Sequence, residues 1–212
     1  MAVRHSARLA LACVATLGFY LASTATATGQ EDSTSPLTVA SGRVSLAGTS
    51  NIHAYTASTT VVRVTRVLIG SGVSGANFWD EIVTPGRMEA FDIAISAATL
   101  KSSKADLDKN MYKALKVTEH PDIVFRLRRL ESRAGTPGGL RGIGSLQVAG
   151  VEREVALDLT TERKDTSLIV RGQLQLVMTD YGIKPPTAML GMLKTDPKVT
   201  VTFETVLAVP LT

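Results

Sequence analysis

From Leu37 onward the chain is a succession of runs in which apolar and polar positions alternate with period two, the pattern of strands with one buried face. Leu37 to Leu46 places Val44 and Leu46 together. Gly48-Thr49-Ser50-Asn51 reads as a turn or bulge. Thr56 to Ile69, rich in Val and Thr, predicts one long strand. Met88 to Ser96 puts Phe91, Ile93 and Ile95 on one face, and Asp122 to Leu130 does the same with Ile123, Phe125 and Leu127 against Arg126 and Arg128. Leu140 to Val148 turns Leu146 and Val148 inward, and Val151 to Thr161 turns Val155, Leu157 and Leu159 inward. Leu168 to Met178 carries Leu174, Leu176 and Met178 on one side, and Val199 to Leu207 carries Val199, Val201 and Phe203.

Two stretches break the alternation. In 102–116 the period changes: Leu107, Met111 and Leu115, with Ala114, recur at spacings of three and four and give a helix one apolar stripe. Ser102 or Ser103 is placed to cap its start, Asp106 and Asp108 sit in its first turn, and Pro121 prevents its continuation. The other stretch joins the last two strands. About twenty residues, among them Pro185, Pro186, Met189, Leu190, Met192 and Leu193, are too many and too apolar for an ordinary hairpin loop of about 2–5 residues. Such a segment either plugs the core or forms a flap over an opening, and its methionines suit contact with variable apolar ligands. Phe78 and Trp79, in the Gly-rich loop 71–86, either close an opening or pack outside it.

These elements predict an all-β domain of about eight strands, mostly antiparallel, with one main α-helix. One-sided strands must bury their apolar faces against each other. An up-and-down barrel does so and removes exposed edges, and about eight strands leave room for one small or elongated ligand. A two-sheet sandwich is the alternative.

The first 27 residues read as a signal peptide: Arg4 and Arg8, an apolar run from Leu9 to Leu21, and Ala25-Thr26-Ala27 before a cleavage point. That run is too short to span a bilayer comfortably, since spanning takes about 20 residues, and no later run is longer. Residues 28–36 form a polar lead-in, and 37–212 one domain. The expected product is periplasmic or secreted. Cys13, the one cysteine, lies within the signal and leaves its lipidation as an alternative. The mature chain then has no disulfide, thiolate metal site or cysteine nucleophile. Without Arg4 and Arg8 the 23 basic residues become 21 against 19 acidic. No basic patch interleaved with aromatics stands out, so nucleic-acid binding has no support.

Candidate catalytic groups are sparse. His120 before Pro121 is read as a helix-terminal side chain capping carbonyls. His53 and His120 lack the spacing and nearby acids of a metal pair. Ser50 and His53 have no third orienting group, and Ser50 is better placed to bond the turn backbone. Asp106 and Asp108 read as surface charge. Neither they nor Asp80 with Glu81 form an acid–base pair, and Gly70 to Gly75 lacks the Lys-Ser/Thr of a phosphate loop.

Several segments together resemble the YceI-like family. They are Leu115 to Phe125 with its His120-Pro121-Asp122-Ile123-Val124-Phe125, Gly144 to Val151, Met178-Thr179-Asp180-Tyr181-Gly182-Ile183 with Pro185-Pro186, and Leu193 through Phe203. Gly48 to His53 is similar to a variant found in some members, although Ala54-Tyr55 stands where Asp-Trp is common. The resemblance spans roughly residues 37 to 208. It implies a lipocalin-like exported barrel that binds polyisoprenoids, fatty acids, fatty amides or other long-chain lipids, with no cofactor and no catalysis.

On this reading the ligand is held by Phe78, Trp79, Phe91, Ile93, Ile95, Met111, Ile123, Phe125, Leu127, Leu174, Leu176, Met178, Met189, Leu190, Met192, Val201 and Phe203. Homodimerisation stays open. A packed barrel that binds another protein and, with less support, a small exported hydrolase are the other readings.

Overall fold

The structure is a computed structural model that describes residues 36–136, 139–188 and 192–209. The expected signal peptide, Cys13, most of the lead-in, Met189 and Leu190 lie outside the described residues.

Eleven strands and two α-helices follow one another: β1 Thr38–Ser50, β2 Ala54–Thr59, β3 Val62–Ile69, α1 Phe78–Ile82, β4 Met88–Ser96, β5 Lys101–Ser102, α2 Ala105–Ala114, β6 Asp122–Ser132, β7 Gly139–Val148, β8 Val151–Lys164, β9 Ser167–Val177, β10 Thr187–Ala188 and β11 Leu193–Ala208. All pair antiparallel in the order β3-β4-β6-β7-β8-β9-β11-β1-β2-β5, with β10 on β11. The result is a curled, lipocalin-like half-barrel.

One edge is β3; the other is β2, extended only by the two-residue β5, and β2 and β3 are consecutive in the chain. The single strand expected over 56–69 is broken at Thr60 and Val61. Its first half pairs with β1 and its second half with β4. One run of chain that changes partners therefore joins the two edges of the ladder. At the junction the Val62 side chain lies so near Gly42 of β1 that a Cβ there would approach it to 3.2 Å.

A bulge keeps β6 on the core after five residues of plain alternation. The register shifts between Leu127 and Arg129, so Arg128 and Arg129 both point to solvent and Leu130 returns to the interior. Outside, arginines pair with acids across neighbouring strands, as in Arg126–Glu152, Arg133–Asp158 and Arg171 between Glu162 and Glu204. These pairs are solvent-exposed, and each contributes little to stability.

The core has two clusters. One gathers Leu37, Val67, Trp79, Ile82, Met88, Leu130, Leu140 and Leu168 with their neighbours around α1. The other gathers Leu100, Leu115, Leu146, Val148, Tyr181 and Ile183 around the C-terminal turn of α2. Phe125 and Leu174 pack against both.

Helix α2 starts differently from the sequence expectation. Neither Ser102 nor Ser103 caps it: Lys104 holds the N-cap position without a side-chain bond. Ser102 instead braces the approach, its Oγ donating to the Lys104 carbonyl at 2.9 Å and accepting from the Lys104 N–H. Asp108, expected to be surface charge, is buried and accepts the Ser102 backbone N–H at 2.7 Å. Hydrogen bonding from Ser102, seconded by the Lys101 ammonium, holds its carboxyl below the ordinary carboxylate pKa.

Candidate ligand-binding site

The inward positions of the strands enclose a cavity of about 200 Å3, measured at the centre of a water-sized sphere. It is lined from β1, β4, β6, β7, β8, β9 and β11. Val83 after α1 and Leu100 and Leu115 beside α2 also face it. Thr161 and Thr205 are the polar residues of the lining, and the wall they complete is carbon almost throughout. Beyond the Thr161 and Thr205 hydroxyls, the lining among the described residues offers water no polar side chain. An apolar void of about 150 Å3 stays dry and takes up an apolar guest, and this cavity has the same character.

Glycine makes part of the room. Gly142, Gly144 and Gly172 occupy inward positions of β7 and β9, in phase with the lining residues Leu140, Leu146, Leu174 and Leu176. A Cβ on Gly172 would overlap the Phe203 ring. One on Gly144 would overlap the Arg126 carbonyl and come within 3.0 Å of the Phe125 ring. The two phenylalanine rings thus approach bare backbone that a side chain at either glycine would block.

Ten of the seventeen residues expected to hold a ligand line this space: Phe91, Ile93, Ile95, Ile123, Phe125, Leu127, Leu174, Leu176, Val201 and Phe203. Period-two alternation found them because each strand carries a single buried face. Of the others, Met189 and Leu190 are outside the described residues and the rest lie elsewhere. Trp79 is 5% exposed and packs in the α1 cluster, with the Phe78 ring edge-to-face on it at 5.1 Å. Neither side chain reaches the cavity lining. The loop expected around them contains a five-residue helix, too short for a helical period to register. Met111 and Met178 pack against the α2 cluster instead of the cavity, because Met178 starts a 3-10 turn where a strand was expected to continue.

In the apolar connection, β10 pairs back on the start of β11. Thr187 and Ala188 pair with Lys194 and Leu193, and Met192 is 72% exposed. Sequence reasoning left out of the site Val44 and Leu46 of β1, Leu157 and Leu159 of β8, and the β9 residues Leu168 and Val170. Their strands were readable in the sequence; what local alternation does not show is how far the sheet curls, which brings β1, β8 and the start of β9 to the same interior.

The candidate catalytic groups are held in structural roles. The Ser50 hydroxyl accepts from the Ile52 and His53 N–H groups and donates to the His53 carbonyl at 2.8 Å. His53 is exposed. The His120 ring lies against Gly150, whose φ of 84° excludes a side chain there on backbone grounds as well. Burial, followed by the charge of Asp180, pushes the Tyr181 phenol above its ordinary pKa. Among the described residues no three His, Cys, Asp or Glu side chains gather as metal ligands.

Residues 54–207 match the YceI-like domain. The chain belongs to the YceI-like family. No curated protein matches it. Solved structures resemble it at the level of fold. BcnA of Burkholderia cenocepacia is 11% identical with a TM-score of 0.61, the match covering 79% of this chain and 96% of that one. A polyisoprenoid-binding domain from Saccharophagus degradans, implicated in plant cell wall breakdown, is 14% identical with a TM-score of 0.57, over 82% and 99%. The YceI protein of Campylobacter jejuni is 13% identical with a TM-score of 0.50, over 72% and 85%. The YceI-like barrel is thus common to chains whose sequences have diverged almost completely.

Proposed function

We propose that this YceI-like protein is an exported carrier that sequesters the chain of an isoprenoid or other long-chain lipid inside its barrel. The observation that carries the reading is the carbon-walled cavity between the two core clusters. A dry cavity forfeits the dispersion contacts its lining would otherwise make, and a hydrocarbon chain restores them. Each methylene moved from water contributes about 0.8 kcal/mol. About ten methylenes give about 8 kcal/mol before ordering costs, so micromolar is the tightest affinity this transfer alone supports.

The wall offers no charged group to neutralise a head group, so a polar head rests outside it. No residue in the cavity is positioned for chemistry, which favours binding without turnover. Export rests on the basic start, apolar run and Ala25-Thr26-Ala27 of the N-terminus, and no helix among the described residues is long and apolar enough to cross a membrane. The test is a titration with prenyl alcohols and fatty acids of increasing length. Affinity rises several-fold per added methylene until the cavity is full and then levels. An affinity independent of chain length contradicts the proposal.

A further inference from the structure

Exposed apolar side chains scattered singly are ordinary, but two of the largest here are not scattered. Ile52 is 58% and Met192 72% exposed. They come from segments far apart in sequence that one residue, Asn51, binds together. Its backbone N–H donates to the Lys194 carbonyl at 3.1 Å, its side-chain amide donates to the Met192 carbonyl at 2.9 Å, and its Oδ1 accepts the Lys194 N–H at 2.9 Å. The Ser50 hydroxyl fixes the turn beneath. The result is a hydrogen-bonded tip with two apolar side chains facing water, at the end of the barrel where β1 and β9 finish and β11 begins.

Charge is sorted along the same axis. The arginines of the barrel wall are largely ion-paired with neighbouring acids. Eight of the nine lysines lie at the end that carries the tip and α2. Lys109, Lys113 and Lys116 belong to α2 and the turn after it. Lys184, Lys194 and Lys198 surround the β10–β11 pair, and all six are exposed. Of these eight lysines only Lys101 makes an ion pair among the described residues, with Asp108 at 3.8 Å. The carboxylates nearby that are free of ion pairs, Asp106, Glu119, Asp180 and Asp196, are fewer than the free lysines. An apolar tip set among unpaired, flexible ammonium groups matches a negatively charged bilayer, with acyl chains below the head groups.

We propose that this end of the barrel docks on an anionic lipid bilayer, with Ile52 and Met192 inserted at the head-group boundary and the lysines against its negative surface. The proposal rests on the lipid-carrier reading for its purpose. Docking in this orientation turns α2 toward the bilayer, together with Leu100 and Leu115, the lining residues that the connections around α2 supply. Lipid can then pass between membrane and cavity without crossing water.

The test is flotation of the purified protein with vesicles of mixed phosphatidylglycerol and phosphatidylcholine, against vesicles of phosphatidylcholine alone. The protein floats with the mixed vesicles, and the bound fraction falls steeply as salt is raised. The Ile52→Ser/Met192→Ser variant keeps its Tm, since both side chains are exposed, and loses about tenfold in vesicle affinity. A Val201→Trp variant, with its cavity filled, floats like the parent but takes up no chain, so failure of docking and failure of the carrier reading are read separately. The proposal is overturned by absence of flotation, by equal binding to both vesicles, by a double variant that binds undiminished, or by a protein partner that occupies this face while vesicles do not.

Discussion

Val201 stands at the centre of the inner wall. In register it lies between Leu174 of β9 and Leu46 of β1, and all three face the cavity. Replacing it by tryptophan exchanges three side-chain carbons for ten heavy atoms that have only the cavity to grow into. A ring filling existing space avoids most of the strain of overpacking, so the stability change stays within the lower part of the usual range of about 1–3 kcal/mol. The effect on a bound chain is larger. About seven heavy atoms displace a similar number of methylenes, worth about 5 kcal/mol at 0.8 kcal/mol each. A ligand that slides partly outward recovers some of this, which leaves a loss of at least about a hundredfold in affinity. The assay is displacement of a fluorescent fatty-acyl or prenyl probe, with a thermal melt of the same sample. A folded Val201→Trp protein that binds the probe as tightly as the parent refutes the cavity as the binding site.

Other consequences follow from single contacts. Gly150→Ala forces a side chain onto a φ of 84° and into the His120 ring; stability falls by about 3 kcal/mol in a denaturant melt, and His120→Ala in that background recovers part of it. Gly172→Val pushes the Phe203 ring toward the cavity and shortens the longest fatty acid bound with full affinity, as read from the chain-length series. Ser50→Ala costs about 1 kcal/mol, through the turn bonds it loses, whereas His53→Ala stays within about 0.5 kcal/mol, as thermal melts will show. Asp108 has a depressed pKa in the folded state, so its contribution is fully present above its unfolded pKa. It disappears as the pH falls through the folded value, below the ordinary 3.8. Tm measured against pH declines in that acid range, and Asp108→Asn lowers the neutral-pH plateau and flattens this decline.

The parts of this fold that could be read from the sequence are those governed by a local period. Phe91-x-Ile93-x-Ile95 and Ile123-x-Phe125-x-Leu127 announced both a strand and the face it buries, because each barrel strand has one wet side. The family likeness was readable from short motifs such as His120-Pro121 and Gly144 to Val151, and the match over residues 54–207 agrees with it. What stayed hidden depends on partners distant in sequence. Nothing local distinguishes Thr60 and Val61 as the place where one strand changes neighbours. The same holds for Asn51, whose bonds reach Met192 and Lys194 about 140 residues away. Gly142, Gly144 and Gly172 drew no reading for the site from the sequence, yet they make room in the wall. Trp79 was expected to close an opening or to pack outside it and instead lies inside a cluster, because a five-residue helix leaves no periodic trace.

The central claim is that the barrel holds a hydrocarbon chain. Organic extraction of the protein purified without detergent, followed by mass spectrometry of the extract, tests it most directly. The account predicts a long-chain lipid or isoprenoid in near-stoichiometric amount, lost in the extract of Val201→Trp. An extract with no such lipid, from a folded protein that also fails to take up added isoprenoids and fatty acids, would contradict it.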